Sequence, residues 1–375
     1  MHLLVAINNN VEEWRTLQVF DSTKPRLPLP YTFGGAFLRD RHSISAFDLY
    51  SQADKHVISP FSAMYYKNEL GKALASVDIA FLWGSVALKA IFRQAITPGA
   101  RKNIIYFTYV FSPEQFTAKH RINKWAQRAL ASSAKGLVLM TGEQACKAQE
   151  MLGEAVPVVR FRCGIDTAFY REEAAFTNIP ERYRGHIEKL LVEPYVIMPG
   201  DELRINEDAI RFVKQSGIRL VRISQYGDKS GTEKLKHDID EHDLGDRLLV
   251  FEKIDYVFLR FLLRHASAYA GFVDSSWQPA GWTVACEALS SGLPMVIYDG
   301  LVSRELIETG VPAHLVQTVD MRDVATFTVR LAELASSGRS KESAEQASSF
   351  AERQLDFGDT APAFVAEIEK LVAAP

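Results

Sequence analysis

The sequence predicts an α/β protein built from two Rossmann-like, doubly wound domains that face each other across an interdomain cleft. Its 375 residues exceed what one hydrophobic core usually supports, so two domains are expected. Short apolar runs bounded by turn residues alternate with longer amphipathic patterns, which is typical of parallel sheets covered by helices. Hydrophobic residues make up 47% of the chain, which is the composition of a globular protein with sizeable cores.

Six predicted strands lie in each half of the chain. Those in the first half are 3–7, 57–58, 79–83, 104–108, 137–140 and 158–161. Those in the second half are 195–198, 220–224, 248–251, 268–272, 295–298 and 314–316. Helical periodicity predicts helices at 119–134, 207–215, 233–242, 256–265 and 283–291. In such sheets, ligands bind in the crevice beyond the carboxyl ends of the strands.

The predicted domain limits follow this alternation. An N-terminal domain covers 1–170, and a charged stretch with little apolar periodicity at 171–193 is the predicted linker. A C-terminal domain covers 194–345, and the last residues, 346–375, have a helical pattern.

Cysteine usage and the apolar stretches favour a cytoplasmic protein. Cys146, Cys163 and Cys286 are odd in number and form no CxxC motif, so we expect buried, reduced thiols. The apolar run at the N-terminus ends after five residues, which predicts a core strand and not a signal peptide. The longest apolar stretches, 79–86 and 257–263, fall well short of the roughly 20 residues that span a bilayer.

Charge is distributed unevenly between the two halves of the chain. Residues 1–165 carry 20 Lys and Arg against 12 Asp and Glu, a formal charge of +8, whereas residues 166–375 carry −11. A basic N-terminal domain favours an anionic partner, such as a phosphate, a nucleic acid or an acidic membrane surface. Random variation in surface composition explains the same numbers.

A turn-rich loop that leads into a predicted helix carries the strongest chemical signal. Gly281 lets the backbone approach a ligand closely, and the helix start leaves amide donors unpaired at the positive end of its dipole, which favours a phosphate. Thr283 and Glu287 are four residues apart and share one helix face. Thr283 is then placed to reach a phosphate, and Glu287 to accept hydrogen bonds from a ribose or sugar diol. Nearby candidates for the same site are Gln278, Ala280 and Trp282.

This segment resembles the donor-site signature of the retaining GT-B glycosyltransferases of family 4, also called the group 1 type. In that family a Gly-x-Thr loop leads into a helix that reads Glu-Ala-Leu/Met-Ala-x-Gly-x-Pro-Val-Val, and residues 287–296 read Glu-Ala-Leu-Ser-Ser-Gly-Leu-Pro-Met-Val. Residues 162–169 (Arg-Cys-Gly-Ile-Asp-Thr-Ala-Phe) resemble the end of the family's first domain. The resemblance is good over 135–310, and it implies that the final helix crosses back to the N-terminal domain.

The resemblance also implies donor-binding residues where the family's motifs match only in part. The first of two glutamates that the family carries would stand near Gln278 or Pro279, which leaves Gln278 for that contact. The Gly-Arg…Lys pair that grips the diphosphate is replaced, and the nearest cations are Arg204 and Lys229. Trp277 and Trp282 form a candidate wall for the sugar or the base.

Candidates in the N-terminal domain come from the same resemblance. Gly34 and Gly35 resemble the family's glycine loop that faces the donor phosphates. The histidine that is frequent in this domain is absent, and Tyr109 stands close to its place. The resemblance thus implies Glu287, Arg204 and Tyr109 as catalytic candidates.

The implied activity is retaining, metal-independent transfer of a sugar from a UDP- or GDP-sugar, without a further cofactor. Amides at a helix start and a cation such as Arg204 would stabilise the charge that develops on the leaving phosphate. Asp238-Ile239-Asp240 has the spacing of a metal-binding DxD motif but lies in a charged helical pattern, where residues two apart face different sides. No metal site is predicted.

The acceptor and two other functional classes stay open at this point. A glycan, a lipid-linked glycan or another anionic acceptor ranks first, with peripheral membrane contact through the basic domain. Modified DNA ranks lower, because basic residues cluster only at Arg39/Arg41 and Arg101/Lys102. A non-catalytic module that binds a sugar nucleotide or glycan would also fit, whereas an epimerase on the same fold would need further carboxylate and histidine groups at the cleft.

Overall fold

The computed structural model describes residues 2–7, 43–48, 78–83, 104–108, 133–173, 179, 181–201, 203–224 and 231–373. These residues belong to two compact units. The first unit takes its described residues from 2–162 and 361–373, and the second from 163–360. Each unit has its own sheet.

The first unit contains a six-stranded parallel sheet in the order β2-β1-β3-β4-β5-β6. Its strands are β1 His2–Ile7, β2 Ser43–Asp48, β3 Ile79–Trp83, β4 Ile104–Phe107, β5 Gly136–Leu139 and β6 Val158–Arg160. Leu3 pairs with Ile44 on one side and with Ile79 on the other, so the strand order reverses at β1. Helix α1 (Gly142–Leu152) starts at Thr141, whose side chain accepts a hydrogen bond from the Gln144 amide.

The second unit contains a six-stranded parallel sheet in the order β12-β11-β10-β7-β8-β9. Its strands are β7 Tyr195–Pro199, β8 Arg219–Ser224, β9 Leu248–Glu252, β10 Ala268–Gly271, β11 Met295–Tyr298 and β12 Val316–Val319. Val196 of β7 pairs with Ala268 on one side and with Leu220 on the other. The strand order therefore reverses between β7 and β10, which is where doubly wound sheets bind their ligands.

Further helices follow α1 among the described residues. They are α2 Thr167–Arg171, α3 Arg184–Leu190, α4 Asn206–Ser216, α5 Thr232–Glu241, α6 Tyr256–His265, α7 Trp282–Ser290, α8 Leu301–Glu308, α9 Val324–Ser337, α10 Lys341–Leu355 and α11 Phe357–Ala373.

Aromatic packing fixes the core of each unit. In the second unit, Phe327 lies 4.4 Å from Phe272 and 4.5 Å from Tyr298, measured between ring centroids. In the first unit, Phe364 of α11 packs on Phe161 with a centroid distance of 4.2 Å. Residues of α11 from Ala361 onward belong to that first unit.

The predicted α/β fold class with parallel sheets is confirmed, and several elements differ in detail. Strand β2 was not expected, and the last strand is Val316–Val319 in place of 314–316. The stretch proposed as a linker holds α3 and lies inside the second unit. The strand predicted at 57–58 and most of the helix predicted at 119–134 lie outside the described residues.

Cys163 and Cys286 are buried free thiols, but Cys146 lies exposed on α1, which corrects the expectation that it is buried. In the part of the chain that the structure describes, we find no helix with the length and apolarity to cross a bilayer.

Candidate functional site

The candidate site lies in the second unit, where the segments that follow β7 and β10 meet. Arg204 and Val273 form an antiparallel bridge. The Ile205 amide donates to the Phe272 carbonyl at 2.9 Å, and the Asp274 amide donates to the Leu203 carbonyl at 3.0 Å. Two loops about 70 positions apart in sequence are thus joined at the reversal point of the sheet.

Arg204 is half-buried and folds back onto its own turn. Its Nε donates to the Gly200 carbonyl at 3.3 Å, and its Nη2 donates to the Pro199 carbonyl. Gly200 has a φ of +96°, and a Cβ at that position would overlap the guanidinium of Arg204. Glycine at 200 therefore serves both the turn and the close approach of the arginine.

The same guanidinium reaches the start of α7. A Cβ built at Gly281 would lie 3.2 Å from Arg204 Nη1 and 3.6 Å from the Tyr269 hydroxyl. Gly281 has a φ of +86°, a region that L-residues with a Cβ rarely adopt. The structure thus brings the predicted cation Arg204 against the predicted glycine loop.

Helix α7 begins at this point without a side-chain cap. Its N-cap is Gly281, whose carbonyl accepts from the Ala285 amide at 2.9 Å, and the Trp282 amide donates to the Pro279 carbonyl at 3.3 Å. Among the described residues, no acceptor meets the amides of Thr283 or Val284. Such amides, at the positive end of the helix dipole, are suited to an anion.

Glu287 lies one turn further along α7 and is 3% exposed. The hydroxyl of Tyr170 donates to its Oε1 at 2.7 Å. Burial raises the pKa of the Cys163 thiol to about 12, and the negative charge of Glu287 contributes to this shift. The carboxylate is therefore a buried group with a fixed hydrogen-bond partner.

The charges of Arg204 and Glu287 both affect the pKa of Tyr269 of β10. Burial raises the pKa of its hydroxyl; Arg204 acts in the opposite direction, and Glu287 adds to the rise. The hydroxyl of Tyr269 therefore lies close enough to both groups for each charge to shift its pKa.

Arg222 of β8 is a second arginine at this turn, and sequence reasoning missed it. It is 1% exposed, donates to the carbonyls of Met198 and Gly200, and lies 3.7 Å from a carboxylate oxygen of Asp201. Burial, and then the positive charge of Arg204, lower its pKa to about 9. A lone arginine within an apolar strand was the sequence signal that could have found it.

The indole of Trp282 points into the interior. Its Nε1 donates to the Cys163 carbonyl at 2.8 Å, and the residue is 3% exposed. The ring therefore packs in the core, and the backbone of Trp282 is what stands at the helix start. Trp277, by contrast, is half-buried in the loop.

The remaining predicted residues fall into two groups. Gln278, Ala280 and Thr283 lie in the loop and first turn of α7; Ala280 is buried, and its amide donates to the Gln278 carbonyl at 2.7 Å. Tyr109, Gly34, Gly35 and Lys229 lie outside the described residues.

The DxD spacing falls on α5, as expected. Asp238 is half-buried and Asp240 exposed, so the two face different sides of the helix. His237, Asp238 and Glu241 bring ligand atoms within 4.8 Å of one another on this helix. Acidic groups in such a position are commonly solvated, and nothing else marks the cluster as a site.

Comparison with known proteins identifies the fold. No protein-family model and no curated protein matches this chain. The structure of Anabaena HepE in complex with UDP and glucose matches with a TM-score of 0.68 and 14% identity, covering 99% of this chain and 100% of HepE. Sucrose-phosphate synthase from Thermosynechococcus elongatus matches with a TM-score of 0.70 and 10% identity over 100% of both chains.

A third match extends over less of each chain. The α,α-trehalose 6-phosphate synthase from Burkholderia multivorans has a TM-score of 0.62 and 14% identity, covering 83% of this chain and 74% of that one. These likenesses establish that the chain has the GT-B fold with two Rossmann-like domains.

Proposed function

We propose that this chain is a glycosyltransferase that takes a sugar from a nucleoside-diphosphate donor held at the start of α7. The observation that carries the proposal is that Arg204 lies against Gly281 at an uncapped helix start, about one and a half turns before the buried Glu287. A nucleoside diphosphate carries both an anion, which suits the first turn of α7, and a ribose diol, which suits Glu287 one turn further along.

The diphosphate is assigned to the first turn of α7. The amides of Thr283 and Val284, the helix dipole and the guanidinium of Arg204 would all stabilise negative charge. Charge grows on the leaving diphosphate as the glycosidic bond breaks, so groups fixed in advance lower the barrier. We propose that this set suffices without a metal ion.

The ribose is assigned to Glu287. Four residues of helix advance about 6 Å, on the order of one ribose unit beyond the phosphates. A buried carboxylate is a strong acceptor for a diol, because hydrogen bonds to charged groups are stronger than neutral ones. Gln278, beside the position where an acid is usual in the resembling family, would contact the sugar.

The nucleotide to test first is UDP. HepE has been solved with UDP and with UDP-glucose. The match between the two structures extends over 100% of the HepE chain. This supports a uridine donor here but does not identify the sugar, and GDP is the second choice.

We propose retention of configuration, as the family resemblance implies. In that mechanism the leaving phosphate takes the proton of the acceptor, so no separate base is required. Tyr109, Gly34, Gly35 and Lys229 are kept as further candidates in this scheme. A glycan or another anionic acceptor is favoured by the +8 charge of residues 1–165, and a cytoplasmic location is proposed with it.

The test combines donor binding with turnover. Calorimetry with UDP and GDP, and then release of nucleotide from UDP- and GDP-sugars in the presence of glycan acceptors, should give binding and turnover in the wild type. Arg204→Ala and Glu287→Ala should each abolish nucleotide release. Wild-type release rates in both variants would overturn the site assignment.

A second candidate function is a binding module without turnover. Pro279 stands where an acid of the resembling family would contact the donor sugar, and this departure favours it. In that case, calorimetry on the wild-type protein would show binding of the nucleotide sugar, but no acceptor would lead to release of nucleotide.

A further inference from the structure

Tyr170 makes a buried contact that joins two distant parts of the second unit. Its hydroxyl donates to Glu287 Oε1 at 2.7 Å across 117 positions of sequence. Tyr170 is 0% exposed and Glu287 is 3% exposed. A hydrogen bond this well shielded from water holds a side chain in one orientation, because no solvent competes for the donor or the acceptor.

The short helix α2 that carries Tyr170 is itself firmly anchored. Asp166 caps it by accepting from the Phe169 amide at 3.0 Å. Arg260, which is 7% exposed, donates to the Phe169 carbonyl at 2.9 Å and to Glu172 at 2.7 Å. Its guanidinium also lies 4.4 Å from the centre of the Phe169 ring.

Packing around the phenol limits its movement further. The rings of Phe169 and Tyr170 meet edge to face with centroids 5.0 Å apart. Near the other end of the same segment, the indole of Trp282 donates to the Cys163 carbonyl at 2.8 Å. Residues 163–171 are thus attached to α7 by two buried side-chain hydrogen bonds, one to Trp282 at the start of α7 and one to Glu287.

We propose that Tyr170 is a positioning residue: it fixes one oxygen of the Glu287 carboxylate so that the other, Oε2, recognises the ribose diol of the donor nucleotide. This inference rests on the proposed function and assigns a role that the sequence motifs do not carry. Tyr170 is buried and would not touch the donor itself, so its effect must pass through Glu287.

The test measures recognition of one hydroxyl group. Calorimetry compares UDP, or GDP if only GDP binds the wild type, with its 2′-deoxy analogue on the wild type and on Tyr170→Phe. In the wild type the ribonucleotide should bind about tenfold more tightly, as expected for a hydrogen bond to a charged group. In Tyr170→Phe this ratio should fall towards one, with the affinity for the deoxy analogue changed less than twofold.

Tyr298→Phe is the matched control. Tyr298 is also buried, and its hydroxyl donates to a carboxylate oxygen of Asp208 at 2.7 Å, so the same kind of bond is lost elsewhere in the unit. The control should retain the wild-type ratio. A folded Tyr170→Phe that also retains it would overturn the proposal and leave Tyr170 as a partner for a buried acceptor only.

A second variant keeps the test independent of how well Tyr170→Phe folds. Glu287→Asp keeps the charge but withdraws the carboxylate by one methylene from the Tyr170 hydroxyl, so it should lose the ratio as well. Retention of the ratio in Glu287→Asp would contradict a fixed orientation. If the wild type binds the ribonucleotide and its 2′-deoxy analogue equally, the diol assignment fails while donor binding stands. If it binds neither UDP nor GDP, the proposed function itself fails.

Discussion

Gly281→Ala perturbs the candidate site where Arg204 approaches the start of α7. The φ of +86° is in the left-handed region, which raises the conformational free energy of a residue with a Cβ by about 1–2 kcal/mol. The new Cβ would lie 3.2 Å from Arg204 Nη1, which is closer than ordinary van der Waals contact. Arg204 must therefore move away from the start of α7 by a few tenths of an ångström or more.

Two effects of different size follow from this geometry. The free energy of unfolding should fall by about 1–2 kcal/mol from backbone strain. At an effective dielectric constant of about 20, moving a unit charge from 4 Å to between 4.5 and 5 Å from a phosphate loses about 0.5–0.8 kcal/mol. The affinity for UDP should then fall about two- to fourfold.

Urea unfolding measures the first effect, and calorimetry with UDP measures the second. Gly217→Ala is the matched control, because Gly217 has a φ of +70° and a Cβ there would lie 3.1 Å from Nη1 of Arg247. Gly217 stands before β8, at the opposite end of the sheet from the candidate site. The control should lose similar stability and keep wild-type affinity. Equal UDP affinity in the two variants would refute the placement of the diphosphate between Arg204 and Gly281.

Four further predictions concern the surroundings of the site and the cysteines. Arg222→Met should lower the free energy of unfolding by about 3–5 kcal/mol, because Asp201 loses its buried partner; a loss below about 1 kcal/mol in urea unfolding would contradict this. Trp282→Phe should cost about 1–2 kcal/mol by leaving the Cys163 carbonyl without its donor, with UDP affinity unchanged in calorimetry; a tenfold loss of affinity would place the ring in the ligand site. At pH 8 only Cys146 should react rapidly with a thiol reagent. Since the pKa of the Cys163 thiol is raised to about 12 from its usual 9, the unfolded chain loses that proton first, and stability should fall as pH rises from about 9 towards 12. That fall should be smaller in Cys163→Ala, and an equal fall in both proteins would contradict the assignment.

Local patterns in the sequence predicted much of the second unit. Period-3.6 and continuous apolar patterns located helices such as Tyr256–His265 and strands such as Met295–Tyr298. They succeed there because the strands of a parallel sheet are buried on both faces and read as apolar runs. β2 (Ser43–Asp48, Ser-Ile-Ser-Ala-Phe-Asp) was missed because it has no such run.

Long-range contacts explain what the sequence could not predict at the site. Gly281, Thr283 and Glu287 lie within seven consecutive residues, so their shared placement could be anticipated. The partner of Glu287 is Tyr170, 117 positions away, and no local pattern identifies such a pair. Arg222 was overlooked because a charged residue usually marks a solvent-facing position, whereas here carbonyl groups of the β7 turn compensate its burial.

The short helices α2 and α3 show the same limit. α3 lies in 171–193, a stretch whose lack of apolar periodicity suggested a linker, and α2 was not predicted at all. Capping by Asp166 and the anchoring contacts of Arg260 instead stabilise α2. Tertiary contacts of this kind determine most helical stability in proteins, and propensity alone does not.

A crystal structure of the chain with UDP tests the central claim most directly. The account predicts phosphate oxygens about 3 Å from the amides of Thr283 and Val284 and from the guanidinium of Arg204, and a ribose hydroxyl within hydrogen-bond distance of Glu287. A nucleotide bound elsewhere, or one at α7 with its ribose turned away from Glu287, would contradict it.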